Sequence, residues 1–99
     1  MTAIENLDKA FESRVRLGIM SVLTASGQAD FNTLKGMLGV SDGNLASHIR
    51  ALEELGYIET QKQFIGRKPN TSYSVTDAGR KAFSAHIDAL SSLLNLKQQ

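Results

Sequence analysis

The side chains best suited to specific recognition lie in one stretch, residues 41 to 50, which reads SDGNLASHIR. Small or hydrogen-bonding side chains alternate there with apolar residues at helical spacing. Gly43 and Ser47 are small enough for the helix backbone to approach another surface closely. Asn44 and Ser47 can hydrogen-bond to the edges of bases, and Arg50 can reach a guanine or a phosphate. The pattern predicts a helix that presents hydrogen-bonding groups on its exposed face.

The sequence offers little to an enzyme or a metal ion. It has no Cys, which excludes disulfides, thiolate ligands and thiol nucleophiles. No His, Asp or Glu lies three or four residues from His48 or His86 to complete a metal site. We also find no supported Ser-His-Asp pattern, phosphate-binding glycine loop or carboxylate pair. We therefore expect no catalysis, no metal and no cofactor.

Charge and composition limit the remaining possibilities. The 11 basic and 10 acidic residues give a net charge of +1, so any nucleic-acid binding must rest on local charge. The chain has no apolar run of 18 residues, and its start, MTAIENLDKAFESR, lacks the pattern of a signal peptide. An apolar content of 41% over 99 residues suits one domain, residues 1–99. We expect a cytoplasmic protein.

The apolar periodicity predicts three helices before residue 57. The first extends from Leu7 to about Ala25, with a second apolar edge at Leu17 and Met20 that could face a second subunit. After a strand stub at 29–31, a short helix begins at Asp30 or Asn32 and ends at Gly39. Its predicted inward residues are Leu34, Met37 and Leu38.

The third predicted helix, residues 42–55, is capped by Ser41 and ended by Gly56. Its apolar stripe is Leu45, Ile49, Leu52 and Leu55. Two helices joined by a tight turn, within residues 30–56, form a helix-turn-helix, whose second member lies in the major groove of DNA.

Residues 57–75 predict a β-hairpin, which we call the wing. Ile58, Thr60, Lys62 and Phe64 share one side of its first strand, and a seven-residue basic loop, IGRKPNT, separates the strands. Thr76 then caps a last helix over about 77–95. Two apolar stripes on that helix predict one face for the core and one for a second subunit.

Some residues keep two interpretations. Arg14 and Arg16 could face DNA or solvent. His48 could pack against the second helix or donate to a phosphate. Asp42 suits the first turn of a helix but would repel phosphate, and it could cap the helix or accept a hydrogen bond from cytosine.

The segments VSDGNL, ALEELGYI, GRKPNTSYSVT and GRKAF resemble the winged-helix DNA-binding family of small bacterial and archaeal transcriptional regulators, related to the MarR and ArsR groups. The resemblance extends from about Asp30 to Phe83. It implies a dimeric regulator with Ser41, Asn44, Ser47 and His48 at the major groove and with Arg67 and Lys68 on the wing. The chain departs from metal-sensing ArsR members because it lacks Cys, and it shows no built-in pocket for the phenolic ligands of some MarR proteins.

These observations predict an α+β, mostly α, winged helix-turn-helix with a wing of two or three strands and dimerisation helices at both ends. The expected function is sequence-specific binding of double-stranded DNA by a homodimeric transcriptional regulator, with helix 42–55 in the major groove and wing residues 65–71 on the backbone or in the minor groove. The predicted DNA-binding residues are Ser41, Gly43, Asn44, Ser47, His48, Arg50, Lys62, Arg67, Lys68 and Thr71. The predicted dimer contacts are Leu7, Phe11, Leu17, Ile87, Leu90, Leu93 and Leu94.

The sequence is compatible with two further possibilities. A small-molecule effector could bind between subunits, although no polar anchor identifies one. The alternative function is a protein-interaction module without specific DNA binding, which the low net charge and the acidic pair Glu53 and Glu54 favour.

Overall fold

The fold consists mainly of helices around a three-stranded antiparallel sheet, in a computed structural model that describes residues 3–96. The ends of the predicted domain, residues 1–2 and 97–99, lie outside the described residues, as do the side chains of Ala3 and Leu96. The elements are two short 3-10 helices, Ala3–Asn6 and Lys9–Phe11, then α1 (Arg14–Ser26), β1 (Gln28–Asp30), α2 (Phe31–Leu38), α3 (Asp42–Glu54), β2 (Ile58–Ile65), β3 (Lys68–Val75) and α4 (Asp77–Leu96). The strand order is β1-β3-β2. The predicted α+β, mostly α class is therefore confirmed.

The start of the first helix was predicted wrongly. Helix α1 begins at Arg14 because Ser13 has an extended backbone and its Oγ accepts a hydrogen bond from the Arg16 amide at 3.3 Å. Asp8 caps the preceding 3-10 helix in the same way, through the Ala10 amide at 2.9 Å. Two capping side chains thus interrupt an apolar pattern that reads as one continuous helix.

Capping also fixes the helices of the helix-turn-helix. The Asp30 carboxylate accepts from the Thr33 amide at 2.7 Å, so Asp30 rather than Asn32 caps α2. That backbone hydrogen bond, with a second one from the Thr33 side chain, lowers the pKa of Asp30. Gly39 ends α2 in the left-handed conformation, and Gly56, with φ of +77°, follows α3.

The core lies between the helix-turn-helix, α1 and the sheet. Its fully buried side chains are Ile19, Met20, Leu23, Leu34, Leu45 and Leu52. Met20 is thus covered by its own chain. Two residues predicted on apolar stripes are instead exposed: Met37, 64% exposed, lies about 90° around α2 from the face formed by Leu34 and Leu38, and Leu55, 50% exposed, follows the last turn of α3.

The wing differs from its predicted form. β2 and β3 pair along all eight residues of each strand and are joined by a two-residue turn at Gly66 and Arg67, so the predicted seven-residue loop is wrong. Gly66 has φ of +66°, which suits the first central position of a tight hairpin turn. Pro69 lies within β3, where β1 does not reach, so a missing amide donor is tolerated.

A hydrogen-bonded cluster holds the N-terminal segment against α4. The amide of Asp8 donates to Nδ1 of buried His86 at 3.0 Å, and the Tyr57 hydroxyl donates to the Asp8 carboxylate at 2.8 Å. The latter hydrogen bond and burial raise the pKa of Tyr57. Phe11 packs edge-on against His86 and Phe83, with ring centroids 5.2 and 5.4 Å apart. The segment before α1 is therefore part of the folded core.

The end of α3 is joined closely to the start of α4. Thr76 caps α4, as predicted: its Oγ1 accepts from the Gly79 amide at 3.0 Å and donates to the Gly56 carbonyl at 2.6 Å. Gly79 lies so near Tyr57 that an added Cβ would be 2.0 Å from the Tyr57 carbonyl oxygen.

Within residues 3–96, no helix is long and apolar enough to cross a membrane.

Candidate nucleic-acid interface

The exposed face of α3 carries the small and hydrogen-bonding side chains. Gly43, Asn44, Ser47 and Arg50 are exposed, whereas Leu45, Ile49 and Leu52 on the opposite face are buried. The Ser41 Oγ accepts from the Asn44 amide at 3.2 Å, so Ser41 caps the helix and keeps its O–H free to donate. The backbone of α3 is accessible because an added Cβ at Gly43 would meet nothing within 4 Å.

His48, which is half-buried, is hydrogen-bonded to α1. The Arg16 Nε donates to His48 Nδ1 at 3.0 Å. An arginine nitrogen can only donate, so Nδ1 must be the acceptor, and the proton of the neutral ring must lie on Nε2. His48 therefore has one N–H free to donate to a phosphate. Arg16, which the sequence left between DNA and solvent, belongs to this surface.

The charge of Asp42 is paired within the helix-turn-helix. The Lys35 Nζ of α2 lies 2.7 Å from Asp42 Oδ1, and both side chains are substantially exposed. Helix α3 is capped by Ser41, so Asp42 is not its cap. The sequence did not reveal this ion pair because its partners lie seven positions apart, on different helices.

The acidic end of α3 is tied to the base of the wing. The Thr60 hydroxyl of β2 donates to the Glu53 carboxylate. The pKa of Tyr73, which faces Thr60 across the two strands, is raised by burial and by the nearby charge of Glu53. This contact joins the base of the wing to the end of α3.

The outer half of the wing is positively charged. Residues 61–71 contain Lys62, Arg67 and Lys68 and no Asp or Glu. These three side chains are exposed, and Thr71 is half-buried opposite Lys62 in the strand register. Lys62 lies in β2, Lys68 and Thr71 lie in β3 and Arg67 lies in the turn, so the predicted wing residues occupy a paired two-stranded ribbon.

A cleft of about 360 Å³ lies where α1 begins, beside the turn between α2 and α3. Arg14 and Asn44, 30 positions apart in sequence, both line it, together with Val15, Leu38, Gly39 and Val40. Arg14 therefore adjoins the exposed face of α3. No local sequence signal could place it there, since the two helices meet only through the tertiary fold.

The predicted dimer residues fall into two groups. On α4, Ile87, Leu90 and Leu94 form an exposed apolar stripe, with exposures of 41%, 38% and 64%, and Leu93 beside them is half-buried. Leu7 and Leu17 are also half-buried. Phe11, by contrast, is only 3% exposed and is surrounded by its own chain, which leaves it little surface for a second subunit.

Comparisons with known proteins agree with this geometry. Residues 15–94 match the model of a winged helix DNA-binding domain. An uncharacterised protein of Methanocaldococcus jannaschii is 40% identical over 79 residues, which is 80% of this chain and 86% of that protein. A transcriptional regulator homologue from Pyrococcus horikoshii OT3 is 31% identical, with a TM-score of 0.79 over 96% of this chain and 99% of the other.

The YusO protein of Bacillus subtilis shares the fold at 16% identity, with a TM-score of 0.82 over 96% of this chain and 67% of the other. The chain belongs to the winged-helix DNA-binding family. It is a DNA-binding protein of the transcriptional-regulator type, a class that is typically not enzymatic.

Proposed function

We propose that this protein is a homodimeric transcriptional regulator that binds a specific sequence in double-stranded DNA. The observation that carries the proposal is the exposed face of α3, where Asn44, Ser47 and Arg50 lie above a buried apolar stripe. A helix of this diameter fits the major groove, in which every base pair presents a distinct pattern of donors and acceptors. Small residues at positions 43 and 47 permit close approach.

Specificity is assigned to the side chains on α3. The Asn44 amide can bond to adenine N6 and N7, and Arg50 can bond to guanine O6 and N7. Ser47 can donate to or accept from either purine. Each good bidentate pair contributes about 1–3 kcal/mol of discrimination against the wrong base.

Affinity is assigned to cations around that helix. Arg67 and Lys68 on the wing, with Lys62 behind them, suit phosphates adjacent to the groove. His48 and Arg16 form a second donor group on the other side of α3, and Arg14 adds a cation at the nearby cleft. These contacts position the protein without reading sequence.

A dimer is supported by the apolar stripe on α4. Ile87, Leu90 and Leu94 leave an unpartnered apolar surface on one chain, and a second copy could cover it symmetrically. Two α3 helices would then present two half-sites related by a two-fold axis.

The decisive experiment is selection of bound duplexes from a random library, followed by titrations of the selected site over a range of salt concentrations. We expect one preferred sequence with two-fold symmetry. Failure to enrich any sequence, with no binding at low salt, would contradict the proposal and favour the protein-interaction module.

Two sets of variants test the roles of the residues. Arg67→Ala with Lys68→Ala should weaken binding to all duplexes and reduce the slope of log K against log salt by about 1 per lost phosphate contact. Asn44→Ala or Ser47→Ala should change base preference and leave that slope unchanged. If both sets act alike, the assignment of roles is wrong.

A further inference from the structure

Gly18 lies in the interior of α1, and its backbone conformation does not require a glycine. It is not among the glycines with positive φ, and alanine would favour the helix more than glycine does. Space explains the residue instead. A Cβ added at Gly18 would be 2.7 Å from Cδ2 of Leu38, the last residue of α2. Helices α1 and α2 therefore approach each other at a position without a side chain.

We propose that Gly18 is a positioning residue for DNA binding, which acts through Leu38 on the start of α3. Its lack of a side chain lets Leu38 pack against α1, and this contact sets where Asn44 lies relative to Arg14. The inference rests on the proposed function, in which Asn44 reads a base and Arg14 supplies a cation for a phosphate. It adds a residue of α1 that determines specificity from outside the exposed face of α3.

The connection from Leu38 to Asn44 is short and bonded at both ends. Only residues 39–41 separate α2 from α3. Gly39 ends α2 in the left-handed conformation, and its amide bonds back into that helix at 2.9 Å. The Ser41 Oγ accepts from the Asn44 amide at 3.2 Å. A shift of the end of α2 therefore moves the start of α3.

The cleft between Arg14 and Asn44 receives either response to an added methyl group. Leu38 packs against the core and lines this cleft of about 360 Å³. A distance of 2.7 Å is too short for two carbon atoms, so an alanine at position 18 would make Leu38 turn its side chain or carry the end of α2 away from α1. Both movements change the space between Arg14 and Asn44.

The first test compares Gly18→Ala with the unaltered chain on the selected duplex and on an unrelated duplex, by fluorescence anisotropy. Affinity for the selected duplex should fall roughly tenfold, the loss expected for one bidentate base contact. Affinity for the unrelated duplex should stay the same, because every cation is retained. Gly36→Ala is the matched control, since a Cβ at Gly36 in α2 would meet nothing within 4 Å. It should leave both affinities unchanged.

The second test is rescue by a smaller side chain at position 38. Leu38→Val removes both Cδ atoms, including the one nearest to Gly18. Alone, it opens a gap beside Gly18 and should lower the preference for the selected duplex. Combined with Gly18→Ala, it should restore that preference to within about twofold of the unaltered chain, because the added methyl group fills the gap. If circular dichroism shows Gly18→Ala alone to be unfolded, Leu38→Val against the double variant makes the same comparison.

The third measurement needs no DNA. In ¹H–¹⁵N spectra, Gly18→Ala should shift the backbone and side-chain amide resonances of Asn44, and the added Leu38→Val should return them toward their original positions. Gly36→Ala should leave them in place. A contact that only packs α1 against α2 would change stability without this pattern at Asn44.

The outcomes separate this inference from the proposed function. Selective binding by the unaltered chain overturns the positioning role, and leaves the proposed function intact, if Gly18→Ala keeps that selectivity or weakens binding to both duplexes equally. A double variant no better than the single ones also overturns it, as do unmoved Asn44 resonances in Gly18→Ala. Absence of any preferred duplex overturns both.

Discussion

The Asp42 carboxylate is favourable to the folded chain and unfavourable to the phosphates of bound DNA. It lies in the first turn of α3, where it is favourable to the helix dipole, and it pairs with Lys35. An exposed ion pair of this kind contributes at most about 1 kcal/mol to folding. Asp42 should therefore influence DNA binding more than stability.

We predict that Asp42→Asn raises affinity for any duplex about threefold or more and steepens the salt dependence, because it removes an anion near the phosphates and releases Lys35 to bind one. Fluorescence anisotropy titrations at several salt concentrations measure both effects.

Asp77→Asn is the control, since Asp77 is also an exposed acid in a first helical turn and gives the same change of net charge. An equal gain from the control would mean that only the overall charge matters.

The bond between Arg16 and His48 makes a separate prediction. In the native chain, His48 should be a single tautomer with its proton on Nε2, because the Arg16 Nε–H occupies Nδ1. Arg16→Met should yield a mixture of tautomers, visible in the imidazole ¹⁵N chemical shifts, and weaken DNA binding several-fold.

Arg14→Met removes a neighbouring cation of α1 that does not bond to His48, so it should leave the tautomer unchanged. The same mixture in both variants would show that charge, rather than the hydrogen bond, fixes the ring.

The residues of the exposed α3 face could be predicted because their placement follows from local periodicity. The pairings could not: Arg16 with His48, Lys35 with Asp42, and Asp8 with Tyr57 and His86 each join separate elements. Phe64 was assigned to one side of its strand together with Ile58, but it is 73% exposed, and no local pattern marks where the core ends along the strand.

At the scale of elements, the critical contact is the one between α4 and the chain segment that follows α3. We predict that Gly79→Ala lowers the free energy of unfolding by about 3 kcal/mol or more, since the new methyl group would collide with the Tyr57 backbone and not with a movable side chain. Urea denaturation followed by circular dichroism measures this change.

Gly36→Ala provides the matched comparison. Gly36 lies within α2, and an added Cβ there meets nothing within 4 Å. This substitution should stabilise the protein by up to about 1 kcal/mol, because alanine favours helix more than glycine does. Equal destabilisation at both positions would contradict the close contact at Gly79.

Element boundaries were predictable where a cap, a periodic stripe and a terminal glycine agree. Helix α3 meets all three conditions, and the predicted bounds of 42–55 differ from the observed Asp42–Glu54 by one residue. The start of the first helix was predicted wrongly because apolar spacing alone does not reveal that Ser13 and Asp8 accept hydrogen bonds from backbone amides. The length of the wing loop was predicted wrongly because Gly66 and Pro69 both suggest a loop, whereas Gly66 lies in the turn and Pro69 lies in β3.

The whole molecule is elongated. Its radius of gyration is 15.0 Å and its principal extents are 58 × 25 × 21 Å, whereas a compact chain of about 100 residues has a radius near 13 Å. Helix α4 is the longest element and carries the exposed stripe of Ile87, Leu90 and Leu94. An exposed apolar stripe on the longest helix is expected of a chain that pairs with another copy.

We predict that Ile87→Glu with Leu94→Glu converts a dimer into a folded monomer, because two charges would have to be buried in the apolar contact. Sedimentation velocity measures the change in mass, and binding to a two-half-site duplex should weaken with it.

Ala85→Glu with Ser92→Glu adds the same charges at the same spacing on another exposed face of α4 and should leave the dimer intact. A monomer in the unaltered chain, or a dimer that survives the first pair of substitutions, would place subunit contact elsewhere.

The contacts of Thr76 and Gly79 hold the start of α4 against the residues that follow α3. In a pair of chains joined along α4, the position at which the two α4 helices cross would set the distance between the two α3 helices. Base preference and half-site separation would then be separately adjustable, the first through positions 43–50 and the second through the α4 stripe. Such a protein could acquire a new operator spacing without changing a single residue that touches a base.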